Sequence, residues 1–215
     1  MTSGPAQGRK GHNRKKDREA MKKYWKSLFA GGAVALAGRL YAGMDDKVAA
    51  AILFSFALYM VCLFGLDLFT GKIGFITDRV KPVWWYAAVF LGNFTGAAAV
   101  AFLCIAADPS LVAAASAMID AKLAVPWWSL FFRGLLCGIL MYAAVVSWKK
   151  SGNPLGIFLC IPMFILSGFE HSIADISYLC MGLRFDFLPA LLLIALGNAA
   201  GSILVHVTRN GILKV

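Results

Sequence analysis

The sequence predicts an all-α membrane protein of six transmembrane helices in two inverted three-helix halves, with the second and fifth helices broken. Three observations predict it. The 215-residue chain is 60% hydrophobic and 15% charged, with a mean hydropathy of +0.73, whereas soluble domains carry about 25% charged residues. The apolar residues gather in six runs between 27 and 208, of which the third, fourth and sixth comfortably reach the length that spans a bilayer. Two of those runs, the middle one of each set of three, are interrupted by glycine and ionisable residues at matching places.

Residues 1–26 form a basic amino-terminal tail or short helix ahead of the first span. It is rich in Gly, Lys and Arg, has no continuous apolar stretch, and is read as retained rather than as a secretory signal. The channel-forming region is placed at 27–208 and a short carboxy-terminal segment at 209–215. The spans are expected at 27–44, 48–66, 83–107, 127–148, 155–166 continuing after a break to 180, and 187–207. The second run breaks at Asp67-Leu-Phe-Thr-Gly-Lys72 and resumes at 73–76. The fifth breaks at Ser167-Gly-Phe-Glu-His-Ser-Ile-Ala-Asp175. The third and sixth share Leu91-Gly-Asn-Phe-Thr-Gly96 and Leu196-Gly-Asn-Ala-Ala-Gly201. Small residues four apart let helices approach closely, so this reads as a packing motif repeated between the halves.

Orientation follows from the basic residues. The chain carries 21 Lys and Arg. With the amino terminus inside, sixteen fall on the inner side: nine in the tail, then Lys72, Arg79, Lys81, Lys149, Lys150, Arg209 and Lys214. Only Lys47, Lys122 and Arg184 fall outside, so both termini are expected in the cytoplasm. Trp84, Trp85, Trp127, Trp128 and Trp148 stand at span ends, as an interfacial aromatic belt requires. The net charge of +10 is concentrated before the first span, where it suits anionic lipid rather than nucleic acid. The five cysteines lack metal-ligand spacing and read as small buried hydrophobes. Arg39 and Arg133 lie inside spans and are expected to pair with carboxylates or helix-end carbonyls, or to snorkel. His12 and His206 read as incidental.

An ionisable cluster at membrane depth is a functional site by default, because lipid solvates neither charge nor broken backbone. Glu170, His171 and Asp175 form such a cluster, and Asp67 and Thr70 occupy the corresponding break. Glu170 reads equally well as a support that hydrogen-bonds the opened backbone of the opposite break, and Asp67 reads as such a support. A histidine has an unperturbed pKa of about 6.5 and suits proton exchange with a small weak acid. Half-helix starts at the breaks also offer backbone N–H groups to an anion.

Asp67-Leu-Phe-Thr70, Phe131-Phe-Arg-Gly-Leu-Leu-Cys137 and Gly168-Phe-Glu-His-Ser-Ile-Ala-Asp175 resemble the signature segments of the formate/nitrite transporter family. That resemblance runs from about Tyr24 to the end. It implies pentameric channels with an aquaporin-like fold, no enzyme activity, no cofactor and no metal. It implies His171 as the central pore histidine, Thr70 facing it and Glu170 beside it. It further implies Phe54, Leu58, Leu68, Phe69 and Phe164 as apolar constrictions, and Lys122, in the third loop or the foot of the fourth span, as the lysine that attracts anions. Asp67, Asp175 and Gly138 are expected as pore-lining or break-supporting residues. The partners implied are a small monovalent anion, protons, the lipid bilayer of a prokaryotic cytoplasmic membrane and four further copies of the chain.

Two positions depart from the family pattern. Gly138 and Asp175 stand where its members commonly have asparagine, and Gly138 together with a short loop after Thr70 keeps hydrosulfide open beside formate and nitrite. A rival of another class is an intramembrane metal-dependent hydrolase using His171 and Asp175, four residues apart, as ligands and Glu170 as base.

Overall fold

The computed structural model describes the backbone of residues 6–213, and the side chains from Met21 onward except Lys23 and Leu213. Expectations for residues 1–5, for the His12 side chain and for Lys214 lie outside the described residues. The chain is all helical among those residues. In order it forms α1 (Ala6–Gly43), α2 (Lys47–Leu63), α3 (Phe69–Lys72), a 3₁₀ stretch (Ile73–Asp78), α4 (Val83–Ala107), α5 (Leu111–Leu123) and α6 (Trp127–Ser151). After these come α7 (Leu155–Leu166), α8 (Ser172–Met181), a 3₁₀ turn (Phe185–Phe187) and α9 (Leu188–Thr208). The basic tail is continuous with the first span, since α1 starts at Ala6 and runs 38 residues.

Among the described residues, three helices are long and apolar enough to cross a membrane, those built on Val83–Ala107, Trp127–Ser151 and Phe185–Ile212. Lys47–Leu63, Leu155–Leu166 and Ser172–Met181 are shorter apolar pieces. These short pieces are the two predicted broken spans: α2 with α3, and α7 with α8. One helix was not predicted. The segment between the third and fourth spans contains α5, whose buried Leu111, Ala115 and Ile119 lie four residues apart on one face.

The halves are built alike because the same small residues admit the same helix crossings. α1 packs most extensively on α4, and α6 on α9. A Cβ on Gly96 of α4 would lie 1.8 Å from the carbonyl oxygen of Leu28, and one on Gly201 of α9 1.9 Å from that of Leu135. In the other direction, a Cβ on Gly31 would lie 2.0 Å from the Asn93 carbonyl oxygen, and one on Gly138 2.2 Å from that of Asn198. Leu28, Gly31, Asn93 and Gly96 in the first half thus answer to Leu135, Gly138, Asn198 and Gly201 in the second.

Gly138 belongs to this crossing, and no side chain fits there. Gly138 was expected to line the pore or support a break; it is buried in the crossing instead, and the space a side chain would occupy is filled by α9. Of the five tryptophans placed in the interfacial belt, Trp84, Trp127 and Trp128 are exposed. Trp85 is buried and lines a cavity at one end of the bundle. α8 runs through the middle of the bundle, and all ten of its residues are buried.

Candidate functional site: two breaks joined at Thr70 and His171

Each break leaves backbone groups without helical partners, and a single asparagine satisfies them. Asn93 Nδ2 donates to the Asp67 carbonyl at 2.9 Å and to the Ser27 carbonyl at 2.6 Å, while its Oδ1 accepts from Phe69 N at 2.8 Å. Asn198 Nδ2 donates to the carbonyls of Glu170 and Gly134, both at 2.8 Å, and its Oδ1 accepts from Ser172 N at 2.9 Å. Both asparagines are fully buried. In each half the amide bridges residues i and i+2 of the break and ties them to the first helix of that half.

This reassigns the Leu-Gly-Asn repeat. Its glycine sets the crossing, and its asparagine holds the break open in a fixed shape. It also corrects two expectations: the side chains of Asp67 and Glu170 do not bind the exposed backbone. The first amide of each half-helix is also taken, since the asparagine oxygens accept from Phe69 N and Ser172 N, and α3 is only four residues long.

The two breaks meet through their side chains. Thr70 Oγ1 and His171 Nε2 are 2.8 Å apart, and both residues are buried. His171 is the N-cap of α8, with Nδ1 accepting from Ala174 N at 3.1 Å. Since a backbone N–H can only donate, Nδ1 keeps its lone pair and the ring proton resides on Nε2, directed at Thr70 Oγ1. Phe164 stacks on the imidazole with ring centroids 5.7 Å apart.

Around this contact the carboxylates find cations. Lys122, in the last turn of α5, donates to Glu170 Oε2 and lies 3.0 Å from Asp175 Oδ1. The side chains of Glu170 and Asp175 are only 4% and 1% exposed, and Asp175 Oδ2 is buried without a partner. Asp67 pairs with Lys72 at 3.1 Å. Arg39 pairs with Asp108 at 3.0 Å, one of the outcomes its position inside a span allowed. His206 is not incidental. Tyr142 Oη lies 2.9 Å from its Nδ1 and Asp78 Oδ1 2.7 Å from its Nε2, which fastens the Ile73–Asp78 stretch to α9.

Two cavities lie at opposite ends of the bundle. One, of about 570 Å³, is lined by Lys22 and Lys26 of α1 together with Asp67, Lys72, Trp85 and Lys149. The other, of about 320 Å³, is lined by Tyr41 near the opposite end of α1, with Lys122, Arg133, Glu170, His171 and Asp175. Tyr41 and Lys22 are nineteen residues apart on one helix, about 28 Å at 1.5 Å per residue. Of the expected constrictions, Phe54 and Phe164 line the second cavity. Leu58, Leu68 and Phe69 are buried, and Phe69 packs edge-on against Phe90.

Asn93 and Asn198 are the site residues that sequence reasoning missed; Arg133, expected to pair or to snorkel, lines the second cavity with no hydrogen-bond or ion-pair partner for its guanidinium among the described residues. The asparagines carried a signal, recurrence at one place in each half. Arg133 carried none beyond its charge at membrane depth. The metal-hydrolase rival finds no matching geometry. His171 stands before α8 with both ring nitrogens engaged, while Asp175 is turned to Lys122. No group of three or more His, Cys, Asp or Glu side chains suited to a metal occurs among the described residues.

The model of the family described as "Formate/nitrite transporter" matches residues 6–210. The uncharacterized transporter YwcJ of Bacillus subtilis is 32% identical over 182 residues, 74% of this chain and 71% of that protein. The nitrite transporter NirC of Salmonella typhimurium is 32% identical over 139 residues, covering 58% of this chain and 52% of its own length. The chain thus spans about half the length of that nitrite transporter. Among solved structures, a pentameric formate channel with formate bound superposes with a TM-score of 0.76 at 23% identity, covering 92% of this chain and 98% of that one. An ion channel of the FNT family superposes at 0.77 and 25% identity, covering 90% of each chain.

Proposed function

The chain belongs to the formate/nitrite transporter family, a family of transporters and channels rather than enzymes, and we propose that it conducts small monovalent anions of weak acids, of the formate or nitrite type, through a pore in each protomer. The reading includes a homopentamer in a prokaryotic cytoplasmic membrane with both termini cytoplasmic. The observation that carries it is the buried Thr70–His171 contact, 2.8 Å long, where the two breaks meet between two cation-bearing cavities.

A bare anion cannot be left in an apolar constriction without a charge-burial penalty of many kcal/mol. Cations at the mouths raise its local concentration. At the centre the His171 Nε2–H occupies a lone pair of Thr70 Oγ1, which leaves the Thr70 hydroxyl hydrogen free to turn toward a permeating oxygen. An anion that takes a proton from hydronium in the vestibule, leaving water behind, crosses the apolar residues Phe54, Leu58, Leu68, Phe69 and Phe164 as the neutral acid. Proton exchange with His171 itself requires Nδ1 to be protonated, and a doubly protonated ring cannot keep the Ala174 bond. The capped histidine is therefore a hydrogen-bond donor, and it becomes a proton carrier only by releasing the start of α8.

The reason for holding hydrosulfide open weakens, because Gly138 sits in a helix crossing. The test is flux into proteoliposomes with and without a pH gradient, across pH 5 to 8, for formate, nitrite and hydrosulfide. His171→Phe is expected to lose about tenfold or more in formate flux, the equivalent of one unmade buried hydrogen bond. Transport at the wild-type rate throughout that range would end this assignment.

A further inference from the structure

Lys122 is the residue expected to attract anions, yet its charge is already spent. Glu170 and Asp175 both hold it, and their side chains are almost wholly buried. Two carboxylates on one ammonium leave the cluster neutral at most, and negative when both are ionised. The remaining cations of that cavity are Lys47 and Arg133. Lys47 is exposed and donates to the Tyr41 and Met44 carbonyls at 2.9 and 2.7 Å, which ties it to the end of α1.

Arg133 is different. It is partly buried on α6 and lines the same cavity as His171. Among the described residues its guanidinium has no hydrogen-bond or ion-pair partner. It lies against the break: the Arg133 carbonyl accepts from Glu170 N at 3.3 Å. Its Nη1 would be 4.0 Å from a Cβ on Gly168, a residue with φ of +70° and no side chain to cover the guanidinium.

We propose that Arg133, rather than Lys122, is the docking residue of this vestibule, and that it favours planar oxyanions such as carboxylates or nitrite over hydrosulfide. A guanidinium presents two parallel N–H donors matched to two oxygens of one anion, whereas a single sulfur engages them poorly. Lys47 contributes only field from the rim. This assignment rests on the anion-channel reading and names the substrate class within it.

The experiment measures initial uptake rate against concentration in proteoliposomes for formate, nitrite and hydrosulfide, with wild type, Arg133→Lys and Arg133→Gln. Arg133→Lys keeps the charge and the fold, which a monodisperse elution profile verifies. It is expected to raise the half-saturating formate and nitrite concentrations about tenfold while hydrosulfide stays within twofold. Arg133→Gln is expected to raise them further. Unchanged formate saturation in Arg133→Lys, or an equal loss for formate and hydrosulfide, overturns the proposal while wild-type flux leaves the channel reading intact. Wild type that carries none of the three anions overturns both.

Discussion

The break at Asp67–Thr70 and the break at Glu170–Ser172 share a backbone and differ in their side chains. Each is held by one buried asparagine that bridges residues i and i+2, and each asparagine follows a glycine at a helix crossing. Beyond that the two diverge. After the first break α3 lasts one turn before a 3₁₀ stretch, and its carboxylate pairs with a lysine whose side chain is 32% exposed. After the second, α8 runs ten residues, every one buried, with His171 as its cap and two carboxylates closed around Lys122. The half-repeat therefore conserves the scaffold that opens a helix inside a membrane. The chemistry was placed mainly on one side of it.

The strongest way to break this comparison is to remove the shared part. Asn93→Leu and Asn198→Leu each strand two carbonyls and one amide in a dry interior. A buried unmade hydrogen bond costs about 1–3 kcal/mol, and no water is available to replace it. Each variant is expected to lose about 3 kcal/mol or more, read as a large fall in the thermal unfolding midpoint in detergent. The two losses should be similar. A large effect at one asparagine and none at the other would show that the halves are not held alike.

Much of this scaffold was legible in the sequence, because lipid enforces a simple code. Uninterrupted apolar runs had to be spans, and glycine with carboxylates inside such runs had to mark breaks. The Thr70–His171 meeting followed from the family resemblance and from the matching positions of the breaks. Partner choice was not legible. The Lys122 side chain could be placed only once α5 was known, and α5 is too short and too polar to register as a span. Its Asp108-Pro-Ser110 start and its Leu111, Ala115, Ile119 spacing were present but looked like loop. Gly138 was read by analogy as a pore-lining or break-supporting position, when a Cβ there would meet the Asn198 carbonyl oxygen. The asparagines were hidden for a related reason: a polar residue beside a glycine repeat looks like packing until the carbonyls it binds are located.

The side chains that differ between the breaks give the next contrast. Glu170→Gln removes one of two carboxylates from a buried lysine, while Asp67→Asn removes the partner of a lysine that reaches water. Breaking a buried pair costs about 3–5 kcal/mol when nothing replaces it, and Asp175 remains to hold Lys122. Glu170→Gln is therefore expected to lose about 2 kcal/mol, and Asp67→Asn less than about 1 kcal/mol. Unfolding midpoints in the same detergent compare them directly. Equal losses would mean that the Lys122 cluster is as solvated as the Lys72 pair.

The smallest effect separates the two duties of His171. Its Nδ1 caps α8 while its Nε2 faces Thr70. An asparagine at this position can offer a side-chain oxygen to the Ala174 amide, but it is too short to reach Thr70 as well. An alanine can do neither. A lost cap is worth about 1 kcal/mol, so His171→Ala should unfold at a lower temperature than wild type, and His171→Asn should recover most of that difference. Formate flux should fail in both. The first break has no counterpart to this experiment, because Leu68 precedes α3 without a side-chain cap. Recovery of flux together with stability in His171→Asn would mean that position 171 acts by shaping the start of α8. Stability without flux would place the function in the imidazole and its bond to Thr70.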